Sequence, residues 1–202
     1  MSEIFYIIRH GETDWNVVKR LQGHSNIALN ETGKQQAQSL SARVAHLQPH
    51  VLISSDLVRA AETAQLTFPG TALISHPGLR EVFLGDAEGL TRAEILEKWG
   101  EEIWNRWASN EKSNWDARLP GGESKIEMLQ RFQNCLHFHL DLHAGKTLVF
   151  FSHGLAMRSF AHSVNKNLPE TFFVENCGVL KLKRTSNLFE VLEYYDQSRS
   201  VT

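Results

Sequence analysis

The sequence predicts an α/β fold with a sheet covered on both faces and an antiparallel element at one edge. Three observations predict it. Short apolar runs alternate with amphipathic helical stretches, which is the pattern of strands linked by crossover helices. The runs Ile4–Ile8 and Thr147–Phe151 are continuously apolar rather than alternating, as strands buried on both faces must be. The chain then closes with Val179–Lys183 and Leu188–Tyr194 around Arg184-Thr-Ser-Asn187, which reads as a hairpin.

Ile4–Ile8 is the first strand. After a polar loop, Gly33–Gln48 carries Ala37, Leu40, Val44 and Leu47 at helical spacing. Val51–Ile53 is the second strand. Ser55 or Asp56 is then expected to cap a helix running through Leu57, Ala60, Ala61 and Ala64. Ala72–Ile74 is a third strand. Thr91 with Glu94 forms a capping box that opens a Trp-rich helical stretch to about Ser109. Ser124 with Glu127 forms another, opening a long helix through Met128, Leu129, Phe132, Leu136 and Leu140. Thr147–Phe151 is the next strand, followed by a helix from about Leu155.

Composition narrows the function classes. The chain has 202 residues, 42% hydrophobic and 22% charged, with 21 Lys+Arg against 23 Asp+Glu. It is large enough for one domain with its own core. A net charge of −2 argues against non-specific binding to nucleic acid or an anionic membrane. No apolar run is long enough to span a bilayer, and the first residues lack the features of a signal peptide. Cys135 and Cys177 make no zinc or redox pattern, so a reduced, cytoplasmic setting is expected. Ten histidines are the compositional feature that calls for sorting.

In α/β sheets, sites form beyond the carboxyl ends of the strands. Arg9-His10-Gly11-Glu12 follow the first strand, and Ser55-Asp56-Leu57-Val58-Arg59 follow the second. Leu79-Arg80-Glu81 come after the third, and Ser152-His153-Gly154 after the fourth. A single strand-end His or helical Arg is ordinarily structural or solvated; their convergence on one sheet edge is what points to chemistry. Two guanidiniums match phosphate oxygens. The helix start near Gly154 adds backbone donors. A neutral imidazole can carry a phosphoryl group, and a carboxylic acid can protonate the departing oxygen.

Arg9-His10-Gly11-Glu12, with Asn16 and Arg20-Leu21-Gln22-Gly23, resembles the histidine phosphatase superfamily, also called the phosphoglycerate mutase-like family. The resemblance continues through Ser54-Ser55-Asp56-Leu57 with Arg59, Leu79-Arg80-Glu81, Glu88-Gly89-Leu90-Thr91, Pro120-Gly121-Gly122-Glu123-Ser124, Ser152-His153-Gly154 with Arg158, and Asn176. It implies a three-layer α/β/α sandwich around a mostly parallel sheet, as one domain over 1–202 with a helical cap insert at about 91–120. It also implies catalytic roles: His10 as nucleophile, Arg9, Arg59 and His153 as the clamp on the phosphoryl group, and Glu81 as proton donor and then base. Asn16, Gln22, Gly23 and the Gly154–Leu155 backbone would be supporting contacts. No metal or organic cofactor is implied for the phosphatases. Asn26-Ile27-Ala28-Leu29-Asn30, Phe83 and Ala87 depart from the family's usual pattern, which leaves the substrate contacts open.

The remaining candidates are weaker. His24 is either a surface residue or a contact at the mouth of the site. His137, His139 and His143 lie on the long helix; His139 and His143 could pair on a metal, but no further ligand is evident, and a solvated or half-buried face is expected. His46, His50, His76 and His162 have no functional context. Arg80, Arg92 and Lys112 read as surface, Cys135 as core, and Cys177 as packed near the site. Trp99, Trp104, Trp107 and Trp115 either pack the insert over the sheet edge or wall a substrate pocket.

The expected activity is phosphomonoester hydrolysis of a small metabolite through phosphohistidine. The alternative is a 2,3-bisphosphoglycerate-dependent phosphoglycerate mutase, against which stands the short separation, about thirty residues, between Thr91 and Pro120. A non-catalytic phosphate-binding module is a third reading, disfavoured by retention of all five core groups. Substrate identity and oligomeric state stay open.

Overall fold

The computed structural model describes residues 2–199 and Val201. Met1, Ser200 and Thr202, at the ends of the expected domain, lie outside the described residues. Six strands form one sheet in the order β3-β2-β4-β1-β5-β6. Strands β1 (Ser2–Arg9), β2 (Val51–Ser54), β3 (Leu73–Ser75) and β4 (Leu148–Ser152) run parallel. Strands β5 (Val179–Thr185) and β6 (Leu188–Tyr195) add the antiparallel edge. Among the described residues the α-helices are α1 (Asp14–Val17), α2 (Glu31–Val44), α3 (Val58–Thr67), α4 (Arg92–Trp99), α5 (Glu101–Ala108), α6 (Lys125–Leu142) and α7 (Gly154–Val164).

The unbroken apolar strands feed two cores. In β1, Phe5 and Ile7 face the layer built by α6, α7 and the Trp-rich helices, whereas Tyr6 and Ile8 face α2 and α3. Phe150 and Phe151 of β4 divide between the same two clusters. A sheet buried on both faces is the consequence of period-two side-chain alternation when every position is apolar. Among the described residues no helix is long and apolar enough to cross a membrane.

Several elements differ from expectation, each for a local reason. Helix α2 starts earlier and ends earlier than Gly33–Gln48, because the Asn30 side chain accepts from the Gly33 amide and caps it. Neither Ser55 nor Asp56 caps α3: its N-cap is Leu57, and the Val58 amide donates to Asn26 Oδ1 from a distant loop. Asp56 instead pairs with Arg80 at 2.5 Å, so Arg80 is a half-buried partner and not free surface. The Trp-rich stretch is two helices, broken at Gly100, whose φ of 83° ends α4. The loop after β1 contains the short helix α1, opened by a Thr13–Asn16 capping box. Both predicted capping boxes, Thr91/Glu94 and Ser124/Glu127, are present.

Lys125 opens α6 with 1% of its surface exposed, its Nζ donating to Ser109 O at 2.5 Å. Burial, and secondarily Arg158, pull its pKa from 10.5 down to about 8. A depressed lysine opposes folding fully below pH 8, and the penalty lifts as pH rises from about 8 to 10.5, where the unfolded chain holds a proton that the folded one has released. Lys125→Met is therefore expected to stabilise the protein at pH 7 by about 1–3 kcal/mol. It should also abolish this contribution to the rise in stability with pH, both effects being read from urea unfolding at pH 7 and above pH 9.

Candidate active site

The site is assembled at the carboxyl edge of β1, β2 and β4. The chain leaving β1 is held in place because the His10 amide donates to Ser152 O of β4 at 3.0 Å, and the Asn176 side chain donates to His10 O at 2.9 Å. The loop behind His10 rests on α2 through a glycine–glycine contact. A Cβ on Gly11 would lie 2.5 Å from Gly33 O, and a Cβ on Gly33 would lie 2.1 Å from Glu12 O, so neither position has room for a side chain.

His10 is 3% exposed. Its Nδ1 lies 2.6 Å from Gly11 O, a carbonyl that can only accept, so Nδ1 carries the proton and Nε2 keeps its lone pair. Burial, followed by the charges of Arg59 and Arg9, holds the imidazole pKa well below its usual value, which keeps the ring neutral. His153 packs beside it with ring centroids 5.2 Å apart. It is completely buried, both of its ring nitrogens lack hydrogen-bond partners, and burial lowers its pKa in the same way.

The two arginines are anchored at their far ends. Arg59, from the first turn of α3, donates through Nη1 to Ser25 O (2.7 Å) and through Nη2 to Gly23 O (2.8 Å). Arg9 donates through Nη1 to Val174 O at 2.7 Å. In both residues Nε is buried without a partner. Arg9 and Arg59 line the same cavity as His10 and His153 packs beside it, so unsatisfied buried polar groups gather at this place, as an oxyanion site requires.

Glu81 sits at the start of α7. Its Oε2 accepts from the Leu155 amide (2.9 Å) and its Oε1 from the Ala156 (2.7 Å) and Val82 (3.0 Å) amides. The carboxylate thus takes the helix N-terminal donors and lies against the positive end of the dipole. Two clamps fix the backbone of this turn. His24 Nε2 lies 2.9 Å from Glu81 O, and Arg131 of α6 donates to the carbonyls of Gly78, Arg80 and Glu81 while pairing with Glu123.

A cavity of 140 Å³ lies over His10, bounded by Arg9, Arg59 and Glu81 with Asn16, Gln22, Gly23, Leu155, Arg20 and Trp107. Gln22 Oε1 and Trp107 Nε1 are buried without partners. A second cavity of 190 Å³ shares Arg9, Glu81 and Leu155 and adds Gly154, Arg158, Phe173 and Val174. Asn16 Oδ1 is committed to Thr13.

The structure therefore gathers Arg9, His10, Arg59, Glu81 and His153, with Asn16, Gln22, Gly23 and Leu155 on the cavity wall. Three expected contacts fall elsewhere. The Leu155 amide is taken by Glu81 and is not open to a ligand. Gly154 lines the neighbouring cavity. His24 faces a separate, larger cavity and packs at a tilt against Phe83, ring centroids 5.0 Å apart and planes at 43°. Of the tryptophans, Trp107 reaches the catalytic cavity, and Trp115 is buried in the core. Cys177 packs behind the site in a left-handed conformation (φ 56°), with burial raising its thiol pKa to about 12. Arg131 carried no sequence signal of a role, because it acts on carbonyls remote in the chain.

The sequence model of the histidine phosphatase superfamily (branch 1) matches residues 5–197. The "Probable phosphoglycerate mutase GpmB" of Escherichia fergusonii is 36% identical over 154 residues, 75% of this chain and 70% of that protein. "Phosphoglycerate mutase-like protein 4" of Arabidopsis thaliana is 38% identical over 159 residues, 76% of this chain and 67% of its own length. Among solved structures, a mycobacterial glucosyl-3-phosphoglycerate phosphatase complexed with VO3 superposes with a TM-score of 0.78 at 27% identity, covering 93% of this chain and 96% of that one. YhfR of Bacillus stearothermophilus superposes with a TM-score of 0.82 at 26% identity, covering 93% and 94%. With this match over nearly the whole chain, and with its sheet, helices and strand-end histidines arranged as described, the protein belongs to the histidine phosphatase superfamily.

Proposed function

We propose that this protein is a phosphomonoesterase that hydrolyses small phosphorylated metabolites through a covalent phosphohistidine on His10. The observation that carries the reading is an unprotonated His10 Nε2 on one small cavity that Arg9 and Arg59, each with an unpartnered Nε, also line, with the unpartnered His153 ring packed against His10.

In the first half-reaction Nε2 attacks phosphorus as the bond from phosphorus to the leaving oxygen breaks. Glu81 gives that oxygen its proton. The negative charge on the three non-bridging oxygens is met by Arg9, Arg59 and His153. Phosphoryl transfer depends mainly on positioning and charge stabilisation, and this arrangement supplies both. In the second half-reaction water attacks the phosphohistidine, Glu81 takes its proton, and neutral His10 and phosphate are regenerated. The leaving group lies in the adjoining 190 Å³ cavity, beside Arg158 and Phe173. Its size favours a small metabolite over a protein, and Arg158 favours one with a second anionic group. The VO3 bound to the mycobacterial phosphatase, a phosphoryl mimic, supports such a pocket.

The curated relatives named as phosphoglycerate mutases favour a second reading, in which the phosphohistidine returns its phosphoryl group to a phosphoglycerate instead of to water. The two readings share every catalytic group and differ only in whether water reaches the intermediate. Measured side by side, phosphate release from a panel of metabolites is expected to exceed interconversion of 2- and 3-phosphoglycerate primed with 2,3-bisphosphoglycerate. Dominant interconversion would establish the mutase instead.

His10→Ala is expected to lower kcat by about a thousandfold or more. It should also eliminate the label that rapid quenching traps on the wild-type protein from a radiolabelled phosphomonoester; full activity in this variant would refute the nucleophile. Glu81→Gln is expected to cost roughly 10²–10⁴-fold in kcat on an alkyl phosphate. The loss should be much smaller on p-nitrophenyl phosphate, whose leaving group departs without a proton, and an equal loss on both would remove Glu81 from the acid role.

A further inference from the structure

A second cluster of chemistry-bearing side chains lies on α6, on the far side of the Glu81 turn from the phosphoryl pocket. Cys135, His139 and His143 recur every four residues and so share one face of the helix. His76, directly after β3, reaches the same face from across the layer. The ligand atoms of His76, Cys135 and His139 all lie within 4.8 Å of one another. This corrects the expectation of a solvated or half-buried face for His139 alone, since His137 and His143 are half-buried, and it corrects the reading of His76 as lacking context. His139 is only 2% exposed and Cys135 only 1%.

His139 is the informative member. Both of its ring nitrogens are buried without a hydrogen-bond partner. A neutral imidazole always presents one N–H and one lone pair, so a buried ring with neither satisfied is destabilising unless a ligand takes the lone pair. The His76 and His139 rings stand edge to face, centroids 5.3 Å apart and planes at 87°. His76 Nδ1 accepts from the Gly78 amide at 2.9 Å, so an ion taken at that nitrogen would displace this hydrogen bond. The turn passes close to α6 because residue 78 is glycine: a Cβ there would lie 2.7 Å from Cys135 Cβ and 2.8 Å from His76 Nδ1.

We propose that His76, Cys135 and His139 form a zinc site with three protein ligands and an open fourth position. One thiolate and two imidazoles suit Zn²⁺ and disfavour Mg²⁺ or Ca²⁺, which prefer oxygen. A tetrahedral ion with bonds of about 2.0–2.3 Å holds its ligand atoms roughly 3.3–3.6 Å apart, so the cluster closes by about 1 Å on binding. His76 and Cys135 line the 680 Å³ cavity bounded by Arg80, Phe83, Asn134 and Phe138, and the open position faces it. On binding, the Cys135 S–H bond breaks, the S–Zn bond forms and the proton leaves to solvent.

The site's place in the fold gives it a consequence. Arg131, one turn before Cys135 on α6, already holds the carbonyls of Gly78, Arg80 and Glu81. Zinc would add a second tie between α6 and the same turn, five residues before Glu81, and so act as a positioning element for it.

The test uses the full chain stripped with a chelator and titrated with Co²⁺ as a spectroscopic probe. One equivalent is expected to produce a thiolate-to-cobalt charge-transfer band together with tetrahedral d–d absorption, and Zn²⁺ should displace both. Zn²⁺ should also raise the Tm of the wild type and not that of Cys135→Ser. The charge-transfer band should vanish in Cys135→Ser and persist in Cys177→Ser and His10→Ala, which separates this site from the histidine pair of the active site. His76→Ala, whose ring is only half-buried and whose fold is therefore expected to survive, should weaken Co²⁺ affinity by at least about tenfold. Absence of the band in the wild type, its survival in Cys135→Ser, or unchanged affinity in His76→Ala would overturn the proposal. None of these readouts depends on turnover, so the zinc site and the phosphatase reading fail independently.

Discussion

Two arginines buried beside two histidines are the constraint from which the site's architecture follows. Removing a guanidinium from water costs several kcal/mol unless its donors are satisfied. Here most of that compensation comes from backbone carbonyls: Gly23 and Ser25 for Arg59, Val174 for Arg9. Burial still outweighs them at Arg59, whose pKa falls to about 10. Holding those carbonyls in place fixes the loop at residues 22–25 and the segment before β5. The first of these loops is secured in turn by Glu88, which accepts from the His24 amide and the Ser25 hydroxyl, both at 2.7 Å. Residues far from any chemistry are thus committed to keeping two cations dry. On each arginine the Nε is buried and left without a partner, and both side chains line the cavity over His10.

The same logic explains why Glu81 is tied so heavily. A carboxylate placed near two buried cations would collapse onto them in a salt bridge, and so block the pocket, unless something else held it. Three backbone amides do so, two of them at the start of α7. Arg131 and His24 then hold the Glu81 carbonyl from the opposite side. Helix α7 spends its N-terminal donors on a side chain instead of on a ligand. In the proposed function, anion recognition would consequently fall to the arginines and His153.

What could be read from the chain follows the range of the interactions involved. Strands β1 and β4 were legible because an uninterrupted apolar run is a local signal of burial on both faces. The Thr91 and Ser124 capping boxes were legible because a cap and its N3 partner are three residues apart. The α3 cap was not, because the donor's partner, Asn26, arrives from a loop 32 positions away. Arg9, His10, Arg59 and His153 were legible because each ends or directly follows a strand or opens the helix after it; Glu81, six residues past β3, was legible only as part of the Leu79-Arg80-Glu81 motif. The commitment of the Leu155 amide was not, since it depends on where Glu81 arrives from 74 positions away. His139 and His143 announced their shared helix face by spacing alone, while the approach of His76 exists only in three dimensions.

The net charge of −2 conceals how the electrostatics are arranged. Arg9 and Arg59 act on His10 before any substrate is present: after burial, their charges are the largest influences lowering its pKa. A protonated imidazole cannot attack phosphorus, so in the proposed reaction the cations that would attract the phosphoryl group would also keep its nucleophile free of a proton. A solvent-exposed pair of arginines would do neither effectively, because water screens the field at both places. Burying the charges makes one field serve two ends, and the carbonyl anchoring of Arg9 and Arg59 is what makes that burial tolerable.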